Sequence, residues 1–254
     1  MGRLLTTRHG GKGLRGSLDQ KRARIFGVLY LMTIVTSIPA LLLYQPVLDH
    51  PIGYIASAGE NNRILFGVLL LLVIANIGTA VVIFPIVRRQ SEELALGYVT
   101  ARLFECAFIL VGIVAVLGIV TLQKEVAGAA EGTVAYTLAA IKDWTFLLGP
   151  GWVVGWGNGL ILGYLMYSSE LVPRKMAWLG LVGGPLIILS GTLVMFGVDH
   201  PSGPLQGIAT IPEFLWELSL GIYCTLRGFR PSSPILQADA REGRVRAMPA
   251  STPA

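Results

Sequence analysis

Charge is what this chain has least of. Only 14% of its 254 residues are Asp, Glu, Lys or Arg, while 53% are hydrophobic and the mean hydropathy is +0.65. Soluble domains carry about 25% charged residues, so the deficit excludes an ordinary soluble protein and leaves lipid as the solvent. Cysteine is almost absent. Cys106 and Cys224 both fall in apolar runs, which excludes a disulfide framework and any C-x-x-C site and leaves two small buried hydrophobes. Histidine is equally scarce. None of the three lies in an apolar run, so ligation of a buried haem by two histidines is excluded. There is no H-E-x-x-H, no G-x-S-x-G, no Walker loop and no dinucleotide fingerprint. Neither a cofactor nor a metal is expected.

What the chain has is long apolar runs. Six of them, Ile25–Tyr44, Ile64–Val87, Gly97–Leu122, Trp144–Ser168, Met176–Val198 and Ile208–Leu226, are long enough to span a bilayer as helices. The backbone must satisfy itself in hydrocarbon, and the alternation of barrel strands is missing, so the fold class is all-α, polytopic, with six transmembrane helices. The last run is the least apolar, since it holds Pro212, Glu213 and Glu217.

All the basic residues but Arg102 lie outside these runs, which sets aside nucleic acid as the reason for the net charge of +5. Sixteen of the 20 Lys and Arg fall before Ile25, after Leu226, at Arg88 and Arg89, and at Arg174 and Lys175. The bias predicts that both termini are cytoplasmic, with the lipid bilayer as the first partner. The first run is longer than a signal-peptide core and has no clean cleavage site, so it reads as an uncleaved anchor. Residues 1–23 form a basic tail and residues 230–254 a Pro-, Ser- and Arg-rich one. Both are expected to be disordered, with one transmembrane domain over 24–229 between them. Gln123–Asp143 reads as a connection with a short interfacial helix carrying Val134, Leu138 and Ile141.

Glycine and proline are concentrated in the fourth and fifth runs. Gly151, Gly155, Gly159 and Gly163 recur every four residues, a small-xxx-small face for close helix packing, and Pro150 predicts a kink. Broken glycine-rich helices also build binding sites in transporters, although no inverted repeat links the two halves here.

Charge at membrane depth needs a reason, because an Arg or Asp at a helix centre costs about 2.5–3.5 kcal/mol. Arg102 and Glu105 are three apart in the third run, a spacing that lets them pair on one face. Glu217 lies near the midplane, and Asn158 is at similar depth among glycines. Arg102, Glu105, Asn158 and Glu217 are therefore the candidate buried polar cluster, provided that runs three, four and six adjoin. Thr210 and Glu213 fit a capping box, which assigns Glu213 to a helix start. Two Asp-His-Pro motifs, at Asp49 and at Asp199, are ordinary helix-exit chemistry.

The stretches "ALGYVTARLFECAFILVG", "DWTFLLGPGWVVGWGNGLILGYLMYSSELVPRKMAWLGLVGGPLI" and "FLWELSLGIYCTLRGF" together resemble domain-of-unknown-function family 4386, a family of bacterial multi-pass membrane proteins. The resemblance runs from about Arg24 to Phe229. It implies an integral protein of the bacterial plasma membrane with about six spans, and treats the Arg-x-x-Glu of Arg102 and Glu105 as a motif. It implies no activity.

Three function classes follow. One is a structural or regulatory protein in which the cluster fixes helix packing. Another is a binding or transport protein for a small or lipophilic ligand. The third is an intramembrane enzyme using Glu105 or Glu217 as acid or base. No nucleophile or metal set accompanies the carboxylates, so the enzyme is the weakest. The oligomeric state is open.

Overall fold

A computed structural model describes residues 10–51, 61–125, 129–201 and 203–238. The described residues are mostly helical, with no strand among them. They form α1 (Gly10–Asp49), α2 (Asn61–Val87), α3 (Glu92–Glu125), α4 (Ala129–Phe146), α5 (Gly163–Ser169), α6 (Arg174–Met195) and α7 (Pro204–Arg227). Between α4 and α5 the chain stays helical but widens into two π-helical segments, Leu147–Val153 and Gly155–Leu162.

Local chemistry sets several boundaries. The Ser91 hydroxyl accepts from the amide of Leu94 at 3.2 Å, and Glu92 and Glu93 occupy the first turn of α3, where carboxylates favour the positive helix end. Gly203 precedes Pro204, a residue suited to a first helical position. The stop at Ser169 is made by Glu170 in a left-handed conformation (φ 53°), followed by Pro173 ahead of α6. Pro150 lies inside the first wide segment. It has no amide hydrogen to donate and its ring crowds the preceding carbonyls, which a wider helix relieves.

Among the described residues, five stretches are long and apolar enough to cross a membrane: Gly16–Asp49, Leu65–Val87, Glu92–Leu122, Gly132–Ser169 and Arg174–Met195. The protein is thus a multi-pass membrane protein. The fourth stretch corrects one expectation. The segment expected to lie flat on the surface is instead the upper part of the fourth helix. Leu138 packs at the position of Gly118 on α3, and Ala135 and Ala139 are buried. Leu138 thus faces a neighbouring helix, while Val134 and Ile141 remain exposed on the outer side.

Consecutive long helices run antiparallel, so the starts of α1, α3 and α6 meet the ends of α2, α5 and α7. At this end, here called the basic end, Arg89 donates to both oxygens of Asp19 at 2.8 and 3.0 Å. Gln20 bonds the backbone of Phe229 in both directions. The Arg230 amide donates to the Leu171 carbonyl, and the Ser233 hydroxyl to the Ser169 carbonyl. The bundle therefore reaches into both expected tails. Helix α1 starts at Gly10, with Asp19 and Ala23 buried, and a helical turn over 234–238 buries Ile235. Residues 1–9 and 239–254, the outer parts of the tails, lie outside the described residues.

Two apolar clusters divide the bundle. One, at the basic end, gathers Phe26, Tyr30, Ile83, Tyr98, Leu165, Trp216 and Leu220 among others. The second, toward the far end, joins α1, α2, α3 and α4 through residues such as Ala40, Tyr44, Leu69, Ile113 and Ile119. The polar site lies between them.

Candidate functional site

Glycine brings the helices of the site together. A Cβ on Gly155 would stand 2.6 Å from Cγ2 of Ile187 and 2.8 Å from the Gly184 carbonyl oxygen. On Gly159 it would run into Gly184 itself, and on Gly163 it would meet the backbone of Leu181 at 3.3 Å. These three glycines face α6, so the wide segments and α6 touch backbone to backbone. Gly151, expected on the same face, has only ordinary contacts, to Gln206 of α7 and the Phe146 carbonyl. On the other side of α6, Gly180 receives the Trp216 indole and Gly183 receives the backbone of Glu213. Helix α7 is thereby held close to the wide segments. The Trp216 indole nitrogen donates to the Asn158 carbonyl oxygen at 2.9 Å.

Arg102 and Glu105 pair at 2.6 Å on one face of α3. Both are buried, at 2% and 6% exposure, which removes the solvent screening that weakens surface pairs. The second oxygen of Glu105 accepts from the Asn76 amide on α2 at 2.9 Å. The Arg102 guanidinium also donates to the Tyr98 hydroxyl at 3.3 Å and lies 5.1 Å from the Tyr30 ring centre. Asn158 donates its side-chain amide to Glu217 in a short hydrogen bond between the wide segment and α7. The four candidates thus form two bonded pairs, Arg102–Glu105 and Asn158–Glu217, with no hydrogen bond between the pairs.

What joins the pairs is a cavity of about 190 Å³. At roughly 30 Å³ per water in the liquid, that is room for about six. Arg102, Glu105 and Glu217 all line it. So do Asn76, Glu213 and Lys142, which sequence reasoning did not place in the cluster. Glu213 corrects the capping-box reading. Helix α7 begins at Pro204, and the Thr210 hydroxyl donates back to the Gln206 carbonyl, so Glu213 lies in the third turn. It is 2% exposed, and no donor among the described residues reaches either of its carboxylate oxygens. The signal was present in the i,i+4 spacing of Glu213 and Glu217, which puts both on one face. Lys142, on α4, pairs with no carboxylate among the described residues. Its ammonium lies 3.8 Å from the Tyr44 ring centre and 5.3 Å from that of Phe146.

Other buried atoms of this region are without partners among the described residues: Arg102 Nη2, Asn76 Oδ1, Asn158 Oδ1 and the Tyr44 hydroxyl. An unbonded buried polar group costs about 1–3 kcal/mol. A group of them around one cavity is the chemistry of a site that takes a polar guest. Among the described residues no set of three or more His, Cys, Asp and Glu side chains is arranged to hold a metal, and His50 and His200 are exposed.

Neither the curated proteins nor the solved structures contain a match to this chain. One family model matches, over residues 25–228, which runs from within α1 through the end of α7 and takes in all the residues that line the cavity. The chain belongs to the family described as Domain of unknown function (DUF4386).

Proposed function

We propose that this protein binds or transports a small or lipophilic molecule in the cavity between α1, α2, α3 and α7. The observation that carries the reading is the lining. A cluster that only fixed helix packing would satisfy its own polar groups, because lipid and apolar side chains offer them nothing. Here Glu213, Arg102 and Asn76 keep unbonded atoms and line a cavity large enough for a guest. An intramembrane enzyme has less support, since no activated nucleophile accompanies the carboxylates.

In this reading all six long helices cross a bacterial plasma membrane, with the basic end in the cytoplasm. Support comes from Arg88, Arg89, Arg174 and Lys175, which belong to the connections at the same end as Asp19 and Phe229. For α7, support comes from its outer face. Leu205, Ile208, Ile211, Leu215, Ile222 and Leu226 are exposed along its whole length, while both glutamates turn inward to the cavity. Its hydropathy is low for the reason that makes it interesting.

The test is native mass spectrometry of the full chain released from membrane vesicles. Wild type should carry a small molecule in addition to bulk lipid. Ala40→Trp, which fills the cavity from α1, should lose it while keeping its melting temperature. If wild type carries nothing that Ala40→Trp lacks, the cavity has no resident guest and the packing role stands.

A further inference from the structure

The unbonded groups of the cavity are unequal in kind. Asn76 Oδ1 and both oxygens of Glu213, in the lining, and Asn158 Oδ1, outside it, have no partner among the described residues, against one donor of fixed direction, Arg102 Nη2, and the rotatable hydroxyls of Tyr30 and Tyr44. Formal charge leans the same way. Glu105, Glu213 and Glu217 line the cavity around a single guanidinium, and that guanidinium is already committed to Glu105. The other cation of the lining, Lys142, is set apart. It packs at the level of Gly112, ten residues along α3 from Arg102, or about 15 Å by helix rise. The deep part of the cavity therefore sets three carboxyl groups against one guanidinium, with Glu213 unbonded among the described residues.

The cavity also has a side opening. Helices α1 and α7 are in close contact toward the basic end. There Gly27 meets Thr225 and Gly221 meets Leu31, with the notional Cβ of Gly221 only 3.0 Å from Leu31. Toward the far end each turns to other elements. The α1 side chain Tyr44 stacks on Phe146 of α4, with ring centres 5.8 Å apart, while Gln206 of α7 lies against Gly151. Between the two helices, Ser37 of α1 and Thr210 and Phe214 of α7 line the cavity and are exposed. Around them lie Val35, Ile38, Ile211 and Leu215, all exposed and apolar. An opening framed in this way faces hydrocarbon rather than water. Each helix has a proline beside it, Pro39 and Pro212, and each proline removes one intrahelical hydrogen bond.

We propose that the guest is a lipophilic amine, an ammonium group on an apolar chain, which loads from within the bilayer between α1 and α7. The ammonium brings three donors and a positive charge to Glu213 and Asn76, and the chain lies toward Phe214 and the opening. The inference rests on the ligand-handling reading above and names the chemical class and route of its guest.

The experiment uses the full chain in lipid nanodiscs and three probes that share one dansyl-labelled alkyl chain. The free end of the chain carries a primary ammonium, a hydroxyl or a carboxylate. Binding is read as dansyl polarisation above that of empty nanodiscs. The ammonium probe should bind at least tenfold more tightly than the hydroxyl probe, and the carboxylate probe more weakly still. Glu213→Gln keeps the shape of the side chain and should abolish the preference for ammonium over hydroxyl. Ser37→Trp should slow loading at least tenfold while leaving the preference intact. Equal or tighter binding of the hydroxyl or carboxylate probe to wild type would overturn the amine class and leave the ligand-handling reading standing. Binding of none of the three probes would overturn this inference alone, because the mass measurement above tests for a guest of any chemistry. Unslowed loading by Ser37→Trp would overturn the lateral route.

Discussion

The two ends of the bundle solve the same problem in opposite ways. At the basic end every helix has close neighbours, Trp216, Leu220 and Leu165 are fully buried, and backbone and side-chain bonds tie the first and last turns of the helices together. Toward the far end the bundle is hollow between α1 and α7, and its hollow is lined by charge. Helices in lipid gain little from hiding apolar surface, since lipid tails are as apolar as leucine. Stability must then come from close packing and from polar bonds, and both are concentrated at the basic end. The hollow has bonded pairs of its own, Arg102–Glu105 and Asn158–Glu217, yet a buried Glu213 left unbonded among the described residues is costly to hold, and its persistence argues that the hollow is used.

The largest effect should come from breaking the ion pair where the two regions meet. Arg102→Met leaves Glu105 buried beside Asn76 with its cation gone. Removing one partner of a buried pair costs about 3–5 kcal/mol, because the remaining charge is uncompensated. Thermal unfolding in detergent should show that loss. The double variant Arg102→Met with Glu105→Gln should recover most of it, since it removes the stranded charge as well. A double variant no more stable than the single one would mean that the guanidinium holds the bundle through Tyr98 and Tyr30 instead.

A truncation on each side of the divide sharpens the contrast. Leu165 is fully buried in the basic-end cluster, and Leu69 is 3% exposed but lines the cavity. Leu→Ala in a packed core costs about 2–5 kcal/mol, rising with the void it leaves. Leu165→Ala opens a new void and should fall high in that range. Leu69→Ala only enlarges a space that already exists, so its loss should be near the bottom, at about 2 kcal/mol. Equal losses in the same unfolding assay would show that the hollow closes when it is empty.

Most of the fold was legible in the sequence, and for a physical reason. Hydrocarbon forces the backbone into helices, so each long apolar run becomes one, and five of the six expected runs lie in stretches that meet the length and hydropathy of a span. The run with Glu213 and Glu217 is not among them; those two glutamates lower its hydropathy. Arg102–Glu105 was legible because i,i+3 partners meet on any helix. Glu213, Asn76 and Lys142 were not. Their roles depend on which helices adjoin, and one helix read by itself carries no such information. Glu213 was also hidden by a competing local rule. Thr210 and Glu213 have the spacing of a capping box, yet the helix had already begun at Pro204. The glycine face was legible as packing, but Gly151 dropped out of it, because its own contacts are with Gln206 and the Phe146 carbonyl rather than with α6.

The smallest effect belongs to the clamp at the basic end. Arg89 holds Asp19 with two parallel bonds, the strongest arrangement for such a pair. Arg89 retains 17% side-chain exposure, however, so water and salt screen the interaction. Asp19→Asn keeps the shape and loses the charge, and it should cost about 1 kcal/mol or less. The cost should shrink further as ionic strength rises, which the same unfolding assay at low and high salt will read. A loss several times larger, and insensitive to salt, would place the stability of the closed end in this one clamp. It would then no longer be shared with the Gln20, Ser233 and glycine contacts that hold the other helices there.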